Sequence, residues 1–380
     1  MAQARPLASL MLLTLTPSPA FRVRFAVAVS RYERLADLSL EIESYELEPL
    51  QVAISSAFTR HTTVIRLRGG GHEGVGEDVT YSPGDQLALQ REGPTLPLAG
   101  SHTVDSFSKL LDRLSLFPAG PELEPFRDYR RWAYESAALD LALQQAGRTL
   151  ATAIGRSPRP VTFVVSMRLG DPPSTAPVRG WLEHYPGLRF KLDPTSTWDE
   201  PVVAELVALD AVATLDLKGA YEGTPVDQPP DPTLYARVAI AFPEAWLEDP
   251  ALSEETTPIL EPHRRRITWD APIHSVADIE GLPFRPRMLN IKPSRFGTLS
   301  NLFDTYEHCE TKGIGMYGGG QFELGPGRGQ IQYLASLFHP DSPNDVAPRA
   351  YNSGKPQAGL PRSPLDPQLD DAGFRWRESS

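Results

Sequence analysis

The chain has 380 residues with a formal net charge of -11, 41% hydrophobic residues, 38 prolines and one cysteine. The hydrophobic content is high enough for most of the chain to fold, while the acidic balance argues against nucleic acid as a partner. One cysteine excludes an intrachain disulfide and multi-cysteine metal sites, and no apolar run reaches the roughly 18 residues of a membrane span.

Residues 1–38 are predicted to form an N-terminal extension. The apolar stretch Leu7–Leu15 follows Arg5 and precedes small residues and prolines, which is also typical of a weak secretory signal. The charged region before it is thin and no clear cleavage site follows it, so an unstructured extension or an upstream start codon is favoured. We therefore expect a cytoplasmic protein with no membrane partner. A secretory signal at the N-terminus is the alternative interpretation.

Residues 39–130 are predicted to form an α+β capping domain. Leu40–Leu47 alternates apolar and polar residues, and Thr62–Leu67 is rich in β-branched residues. A glycine cluster separates the second run from Val79–Tyr81, so the three runs predict a small antiparallel meander. The leucines of residues 101–117 are mostly spaced for one face of a helix.

Residues 131–341 are predicted to form a (β/α) barrel. A strong helix pattern over Arg130–Gln145 precedes seven short apolar runs, which alternate with helical stretches. Neighbouring runs start about 21–34 residues apart, which suits one strand and one returning helix. An open doubly wound sheet is the alternative, weakened by the absence of a G-x-G-x-x-G turn after the first run. The runs are Val161–Met167, Leu188–Leu192, Ala211–Leu215, Ala245–Leu247, Arg266–Trp269, Met288–Ile291 and Ile314–Tyr317.

Acidic residues follow three successive runs at the point where each predicted strand ends. Asp216 follows AVATL, Glu248 follows AWL and Asp270 follows ITW. The carboxyl ends of barrel strands form the active face, where three converging carboxylates would repel one another unless a cation joined them. Hard oxygen ligands suit Mg²⁺, with Mn²⁺ as the alternative cation. Helix N-caps and loop acids are the non-functional interpretation.

Two lysines occupy corresponding positions. Lys191 lies near the end of the second predicted barrel strand, and Lys292 directly follows the sixth. Strands two and six of an eight-stranded barrel are opposed, so the two ammonium groups could face each other across the metal site. A lysine that is partly desolvated or near other cations has a lowered pKa and can act as a base. Surface lysines beside loops are the alternative.

An ordered set of motifs resembles the enolase superfamily, in particular its muconate-lactonising-enzyme-like branch. That branch includes o-succinylbenzoate synthase, N-succinylamino-acid racemase, dipeptide epimerase and muconate cycloisomerase. Each motif alone is weak, but together they cover roughly residues 39–340 in order. They are GVGED (74–78), ESAALDLALQQAGRTL (135–150), LRFKLDP (188–194), TLDLKGAY (214–221), AWLEDP (245–250), ITWDAPIHS (267–275), LNIKPSRFGTL (289–299) and GMYGGGQFELGPGRGQ (315–330).

The resemblance implies an α/β fold, a modified TIM-like barrel with an N-terminal capping domain, and an isomerase or lyase. Mg²⁺ would be bound by Asp216, Glu248 and Asp270 and would hold a small carboxylate substrate. Lys191 and Lys292 would act on the α-proton, one from each face, and the cation would stabilise the enediolate. The resemblance leaves open whether the reaction is racemisation, epimerisation, cycloisomerisation or dehydration.

The resemblance also implies a substrate-binding set. Cap loops over residues 51–62 and 77–86 would cover the barrel mouth and choose the substrate side chain, with Arg60 and His61 among them. In the glycine-rich segment, Gly319, Gly320 and Glu323 would contact substrate. The backbone N–H groups of this glycine-rich segment and the start of the next helix could hold an anionic substrate tail. A tight loop that needs glycine for its geometry is the alternative.

Several departures from the family pattern put the particular reaction in doubt. The strand-two motif K-x-K reads Arg189-Phe190-Lys191 here. In one alignment Lys191 is the base and Arg189 lowers its pKa. In the other, Asp193 has replaced the base and only Lys292 remains as a catalytic lysine. Lys218 stands where an asparagine is usual, and Ala271 where a glutamate is usual. A metal-binding barrel that has lost catalysis and serves as a scaffold, and an unrelated barrel hydrolase, are the rival functions.

Residues 342–380 are rich in proline and polar residues and are predicted to form a C-terminal segment that packs on the cap. Its last aromatic residues, in the sequence AGFRW (372–376), favour docking on a folded surface. The sequence leaves open whether the protein is a homo-oligomer.

Overall fold

The computed structural model describes residues 29–54, 58–221 and 228–377. The apolar stretch of the predicted N-terminal extension, and part of the cap loop predicted over residues 51–62, lie outside the described residues. None of the described helices is both long and apolar enough to cross a membrane.

The N-terminal part of the chain combines a three-stranded antiparallel sheet with helices. In this sheet β3 lies between β2 and β4, while β1 pairs separately with β5. The predicted antiparallel meander is found, but its third strand is His72–Asp78, within the glycine cluster predicted to separate the strands, and Val79–Tyr81 is not a strand. The helix predicted within residues 101–117 is found at Val104–Leu111. The elements are α1 (Glu33–Ala36), β1 (Ser39–Ile42), β2 (Ser44–Ala53), β3 (Thr59–Gly69), β4 (His72–Asp78), α2 (Pro83–Glu92), β5 (Gly100–Thr103), α3 (Val104–Leu111) and α4 (Phe126–Gln145).

The long helix α4 packs directly on β4. Gly74 and Gly76 make this approach possible, because a Cβ at either position would overlap the backbone of α4. A buried ion pair between Arg130 and Asp78, 2.7 Å long, joins the same two elements. The glycines of the GVGED motif are thus explained by packing against the helix.

The rest of the chain alternates strands and helices. Each of the seven predicted apolar runs contains or overlaps a strand. The elements are α5 (Leu150–Ile154), β6 (Val164–Met167), α6 (Ala176–His184), β7 (Arg189–Leu192), α7 (Glu200–Leu209), β8 (Val212–Asp216), α8 (Pro232–Ala241), β9 (Trp246–Glu248), α9 (Thr257–Leu260), β10 (Ile267–Thr268), α10 (Val276–Gly281), β11 (Met288–Ile291), α11 (Leu299–Lys312), β12 (Gly315–Gly318) and α12 (Pro326–Phe338).

These strands close into a parallel barrel. Strands β6 to β10 form one parallel sheet, β11 pairs with β12, and a bridge from Trp269 to Leu289 joins the two groups. Asn344 bridges back to Phe163, and Asp345 bridges to the residue after β12, so residues 344 and 345 take the eighth strand position. The alternative of an open doubly wound sheet is therefore wrong, because this sheet has no free edge at that point.

The C-terminal segment returns to α4 and β4. The buried carboxylate of Asp140 accepts the backbone N–H groups of Phe374, at 2.7 Å, and Val75, at 2.9 Å. Arg375 pairs with the same carboxylate at 2.8 Å. Asp140 of α4 thus binds both β4 and the C-terminal segment. The domain boundaries at residues 38, 130 and 341 remain predictions.

The close contact of α4 with β4 predicts that Gly76→Ala destabilises the protein. The added Cβ would overlap the carbonyl oxygen of Ala133 and the Oγ of Ser136, and overpacking of this kind typically costs about 1–3 kcal/mol. Gly187→Ala is the matched control, because a Cβ there has no neighbour within 4 Å among the described residues. Thermal unfolding of both variants tests the packing, and equal melting temperatures would contradict it.

Candidate functional site

Three buried carboxylates lie at the carboxyl ends of neighbouring barrel strands. Asp216 is the last residue of β8 and pairs in register with Glu248, the last residue of β9. Asp270 follows β10 by two residues, and all three side chains are fully buried. Lys191 on β7 and Lys292 directly after β11 are also buried. The structure therefore brings the predicted acids and lysines to the same end of the barrel.

Lys191 bridges two of these acids. Its Nζ lies 3.1 Å from Oδ2 of Asp216 and donates a hydrogen bond to Oε1 of Glu248. Burial would lower the pKa of Lys191, but the two carboxylates raise it well above its ordinary value. Burial would likewise raise the pKa of Asp216, but Lys191 and Lys218 hold it below its usual range.

Asp270 is held by three neighbours on one side only. Its Oδ2 lies 2.7 Å from Nζ of Lys292, 3.3 Å from Nη2 of Arg295 and 3.0 Å from the hydroxyl of Tyr221. Burial would raise the pKa of Asp270, but Arg295 and Lys292 keep it below its usual range. Its other oxygen, Oδ1, is buried and has no hydrogen-bond partner among the described residues.

Asp249 joins the acidic group from the position after Glu248. Carboxylate oxygens of Asp216, Glu248 and Asp249 all lie within 4.8 Å of one another, whereas Asp270 lies outside that group. Asp249 accepts the backbone N–H groups of Asp270, at 2.8 Å, and Ala271, at 2.9 Å. Asp249 therefore fixes the backbone that carries the third predicted ligand.

The donor set fits a divalent cation. Burial, together with repulsion from neighbouring acids, raises the pKa of Glu248 to about 8 and that of Asp249 to about 7, and a cation bound beside them would favour their charged forms. The available oxygens are hard carboxylate donors, and Oδ1 of Asp270 is an orphaned buried acceptor. The carboxylates placed closely enough to hold one such cation are those of Asp216, Glu248 and Asp249, and the predicted ligand Asp270 presents its unpartnered Oδ1 from outside that group.

Tyrosine and asparagine side chains complete the surroundings of Glu248. The hydroxyl of Tyr317 donates to Oε2 of Glu248, and Nδ2 of Asn290 lies 3.3 Å from Oε1. The sequence reasoning assigned no role to these two residues, nor to Tyr221, Arg295 or Asp249. A signal was available for Asn290, because it lies two residues before Lys292 and so faces the same side of β11.

The guanidinium of Arg189 is engaged away from the acidic group. It donates to the backbone carbonyls of Asp210, at 3.0 Å, and Val212, at 3.2 Å, where β8 begins. Asp193, the alternative strand-two residue, lies just beyond Lys191 and pairs with Arg168 at 3.0 Å. The assignment of Lys191 or Asp193 as the strand-two catalytic residue, and the tuning role of Arg189, remain predictions.

The predicted substrate residue Arg60 is buried inside the protein. Its guanidinium donates to four backbone carbonyls, those of Val79 and Thr80 on the cap and of Gln321 and Phe322 after β12. These bonds tie the cap to the loop that follows β12. His61 is half-buried on β3, opposite Gln51.

The start of α12, expected to bind an anionic substrate tail, is occupied by Glu77 of the cap. This buried carboxylate accepts the N–H groups of Leu324, Gly325 and Gly327 at 2.6, 2.9 and 3.0 Å. A Cβ at Gly327 would lie 2.9 Å from the Glu77 carboxylate, so glycine is needed for the approach. The N–H groups at this helix end are therefore not available to an anionic substrate tail, because the carboxylate of Glu77 accepts them.

The two glycines after β12 pack against polar side chains of the site. A Cβ at Gly319 would lie 2.8 Å from both Cε of Lys292 and Oδ1 of Asn290. A Cβ at Gly320 would overlap the carboxylate of Glu323, which is buried and pairs with Arg328 at 3.2 Å. Gly319 thus lets the backbone approach Lys292, whereas Glu323 is engaged within its own loop.

A cavity of about 720 Å³ lies beyond this loop. The end of β2, residues 50–54, forms one wall, and Phe322, Glu323 and Leu324 form another. Most of its lining is apolar, with Arg349 and Gln332 among the polar exceptions. The loop after β12 therefore contacts Lys292 at one end and borders a cavity at the other.

Family comparisons cover nearly all of this architecture. Residues 33–153 match the family described as the N-terminal domain of "Domain of unknown function (DUF8230)", and residues 157–353 match its C-terminal domain. The chain belongs to the DUF8230 family.

Relatives of this DUF8230 chain include named enzymes. It is 28% identical over 312 residues to an N-succinylamino acid racemase from Amycolatopsis, covering 79% of this chain and 82% of the relative. It is 27% identical over 349 residues to an N-succinylamino acid racemase from Thermus thermophilus, covering 81% and 86%. An o-succinylbenzoate synthase from Geobacillus stearothermophilus is 26% identical, covering 57% of this chain and 58% of the relative.

Solved structures share the fold of the DUF8230 chain. A dipeptide epimerase from Methylococcus capsulatus, complexed with a Mg ion, matches with a TM-score of 0.64 and 19% identity, covering 89% of this chain and 97% of that one. A muconate cycloisomerase from Pseudomonas fluorescens matches with a TM-score of 0.60 and 18% identity, covering 90% and 95%. The predicted barrel with its capping domain, the resemblance to the enolase superfamily and the prediction of an enzyme of that superfamily are confirmed.

The double acceptor role of Asp249 predicts that Asp249→Asn destabilises the DUF8230 chain. An amide can accept only one of the two N–H groups and turns a donor toward the other, which costs about 1–3 kcal/mol when buried. Asp210→Asn is the matched control, because Asp210 shares the φ of 46° but is exposed. Melting temperatures in EDTA separate this structural role from metal binding. Unchanged stability of Asp249→Asn would contradict the structural role.

Proposed function

We propose that the protein is a Mg²⁺-dependent isomerase or lyase that removes a proton α to the carboxylate of a small substrate. Asp216, Glu248 and Asp270 would hold the cation, and Lys191 and Lys292 would hold and move the proton. The observation that carries the proposal is that two buried lysines from opposed strands each contact the acids of the same strand ends.

The two lysines approach the acidic group from different strands of the barrel. Lys191 comes from β7 and contacts Asp216 and Glu248, whereas Lys292 comes from the end of β11 and contacts Asp270. In the closed barrel these are the second and sixth strands, so the lysines flank the acids from opposed sides. A substrate between them would present one face of its α-carbon to each ammonium or amine.

The ionisation of Lys191 depends on the two acids beside it. Burial by itself lowers the pKa of Lys191, and neighbouring groups, first among them Asp216 and Glu248, raise it. Lys191 becomes a base once those carboxylates are neutralised by another positive charge, because burial then dominates. A bound Mg²⁺ would supply that charge and would stabilise the negative charge that develops on the substrate carboxylate.

The named relatives support an N-acyl amino acid or a related small carboxylic acid as the substrate class. N-succinylamino acid racemases align over about four-fifths of the chain. The largely apolar cavity beside the loop after β12 is lined by none of the site's acids or lysines, so it is not assigned to the substrate. Buried Arg60 and Glu323 would then act by shaping the loop, since their charged groups already have protein partners.

Proton exchange at the α-carbon tests the proposed reaction. Incubation with Mg²⁺ in D₂O and a panel of N-succinylamino acids, dipeptides and cyclic carboxylates should exchange the α-proton, monitored by NMR. Lys292→Ala and Lys191→Ala should each slow exchange at least about 100-fold if both lysines transfer protons. Lys109→Ala, on the exposed face of α3, is the matched control and should leave exchange unchanged.

The pattern of losses separates the mechanisms. Loss in both lysine variants supports proton transfer from two sides, as racemisation requires. Loss in Lys292→Ala alone supports a one-base enzyme, in which Lys191 serves as a cation. Metal binding without exchange of any substrate in the panel would overturn the proposed reaction in favour of a binding or scaffold protein.

A further inference from the structure

Lys218, which stands where the family pattern has an asparagine, lies next to Asp193 beside the acidic group. Asp193 follows β7 and Lys218 follows β8, and these parallel strands are neighbours, with Leu192 paired to Leu215. Nζ of Lys218 lies 3.8 Å from Oδ1 of Asp193. Lys218 and Asp193 therefore form one ion pair across the ends of two strands.

Lys218 also contacts Asp216. Its Nζ donates to Oδ2 of Asp216, and the same oxygen lies 3.1 Å from Nζ of Lys191. One carboxylate oxygen thus faces two ammonium groups. The backbone of Lys218 has a φ of 56°, a conformation that is uncommon for lysine, and its N–H lies 3.3 Å from Oδ1 of Asp216. Both oxygens of Asp216 are therefore engaged by Lys218.

Asp193 offers Lys218 a second partner. Its carboxylate is nearly buried, and its Oδ2 already accepts from Nε of Arg168 at 3.0 Å. Its Oδ1 faces Lys218 across a gap longer than a hydrogen bond. The flexible four-carbon stem of a lysine can close such a gap while the backbone stays in place.

We propose that Lys218 competes with the divalent cation for Asp216 and transfers to Asp193 when the cation binds. A cation at Oδ2 of Asp216 would repel the ammonium of Lys218, and Asp193 is the carboxylate within reach that can compensate its charge. This inference rests on the metal site of the proposed function. It makes Asp193 and Lys218 the residues that set the cation affinity of this chain.

Metal titration of four full-length proteins tests the proposal without any substrate. Mn²⁺ and Mg²⁺ affinities of the wild type, Lys218→Asn, Asp193→Asn and the double variant are measured by isothermal titration calorimetry. Asparagine suits position 218 because it tolerates positive φ. Lys109→Asn, on the exposed face of α3, controls for the loss of one positive charge from the chain and should leave affinity unchanged.

Lys218→Asn should bind Mn²⁺ at least tenfold more tightly, because one competitor for Asp216 is gone. Asp193→Asn should bind at least threefold more weakly, because Lys218 loses its second partner. The double variant should match Lys218→Asn within twofold, since Asp193 acts through Lys218. Independent, additive effects of the two substitutions would overturn the transfer, because they indicate only a general influence of charge.

Three further outcomes of the titration bear on the proposal. Binding by Lys218→Asn where the wild type binds nothing would support the competition. Equal affinities for all four proteins would overturn the inference and leave the metal site intact. No binding by any of them, with melting temperatures in EDTA showing folded proteins, would overturn the metal site together with the inference.

Discussion

Charge compensation among buried side chains at one end of the barrel is the constraint on which the site depends. The carboxylates of Asp216, Glu248 and Asp270 are fully buried, and an isolated buried charge costs several kcal/mol. Lysines on β7 and after β11 compensate them, because Lys191 contacts Asp216 and Glu248 and Lys292 contacts Asp270. Several of these groups share partners, since Asp216 pairs with Lys191 and Lys218 and Lys191 also pairs with Glu248, so the acids and lysines form one electrostatic unit.

The cap contributes by holding the loop that follows β12. Arg60 binds the carbonyls of Gln321 and Phe322, and Glu77 binds N–H groups at the start of α12. Arg60 thus satisfies backbone carbonyls of this loop and Glu77 satisfies backbone N–H groups, and both side chains come from the cap. Gly319 begins this loop against Lys292, so the position of the cap and that of Lys292 are linked.

The parts of the fold that depend on local pattern could be predicted from the sequence. Short apolar runs located the strands, and acids directly after three of them located the site, because strand ends of a barrel converge. Contacts between distant residues could not be predicted in this way. Asn344 and Asp345 complete the barrel from a short polar stretch, and Glu77 fills a helix start 250 residues away. No local periodicity marks either contact.

Local pattern did not indicate which charges lie against Lys191. Arg189 lies two residues away in the sequence, yet its guanidinium binds backbone carbonyls where β8 begins. Burial lowers the pKa of Lys191, and Asp216 and Glu248 are the first of the neighbours that raise it above its ordinary value. The interactions that make burial of this ammonium tolerable are the same ones that keep it protonated. In a barrel stabilised in this way, Lys191 can act as a base only if the negative charge of the neighbouring acids is compensated by another group. The competing contacts of Asp216 therefore connect the stability of the fold with its chemistry.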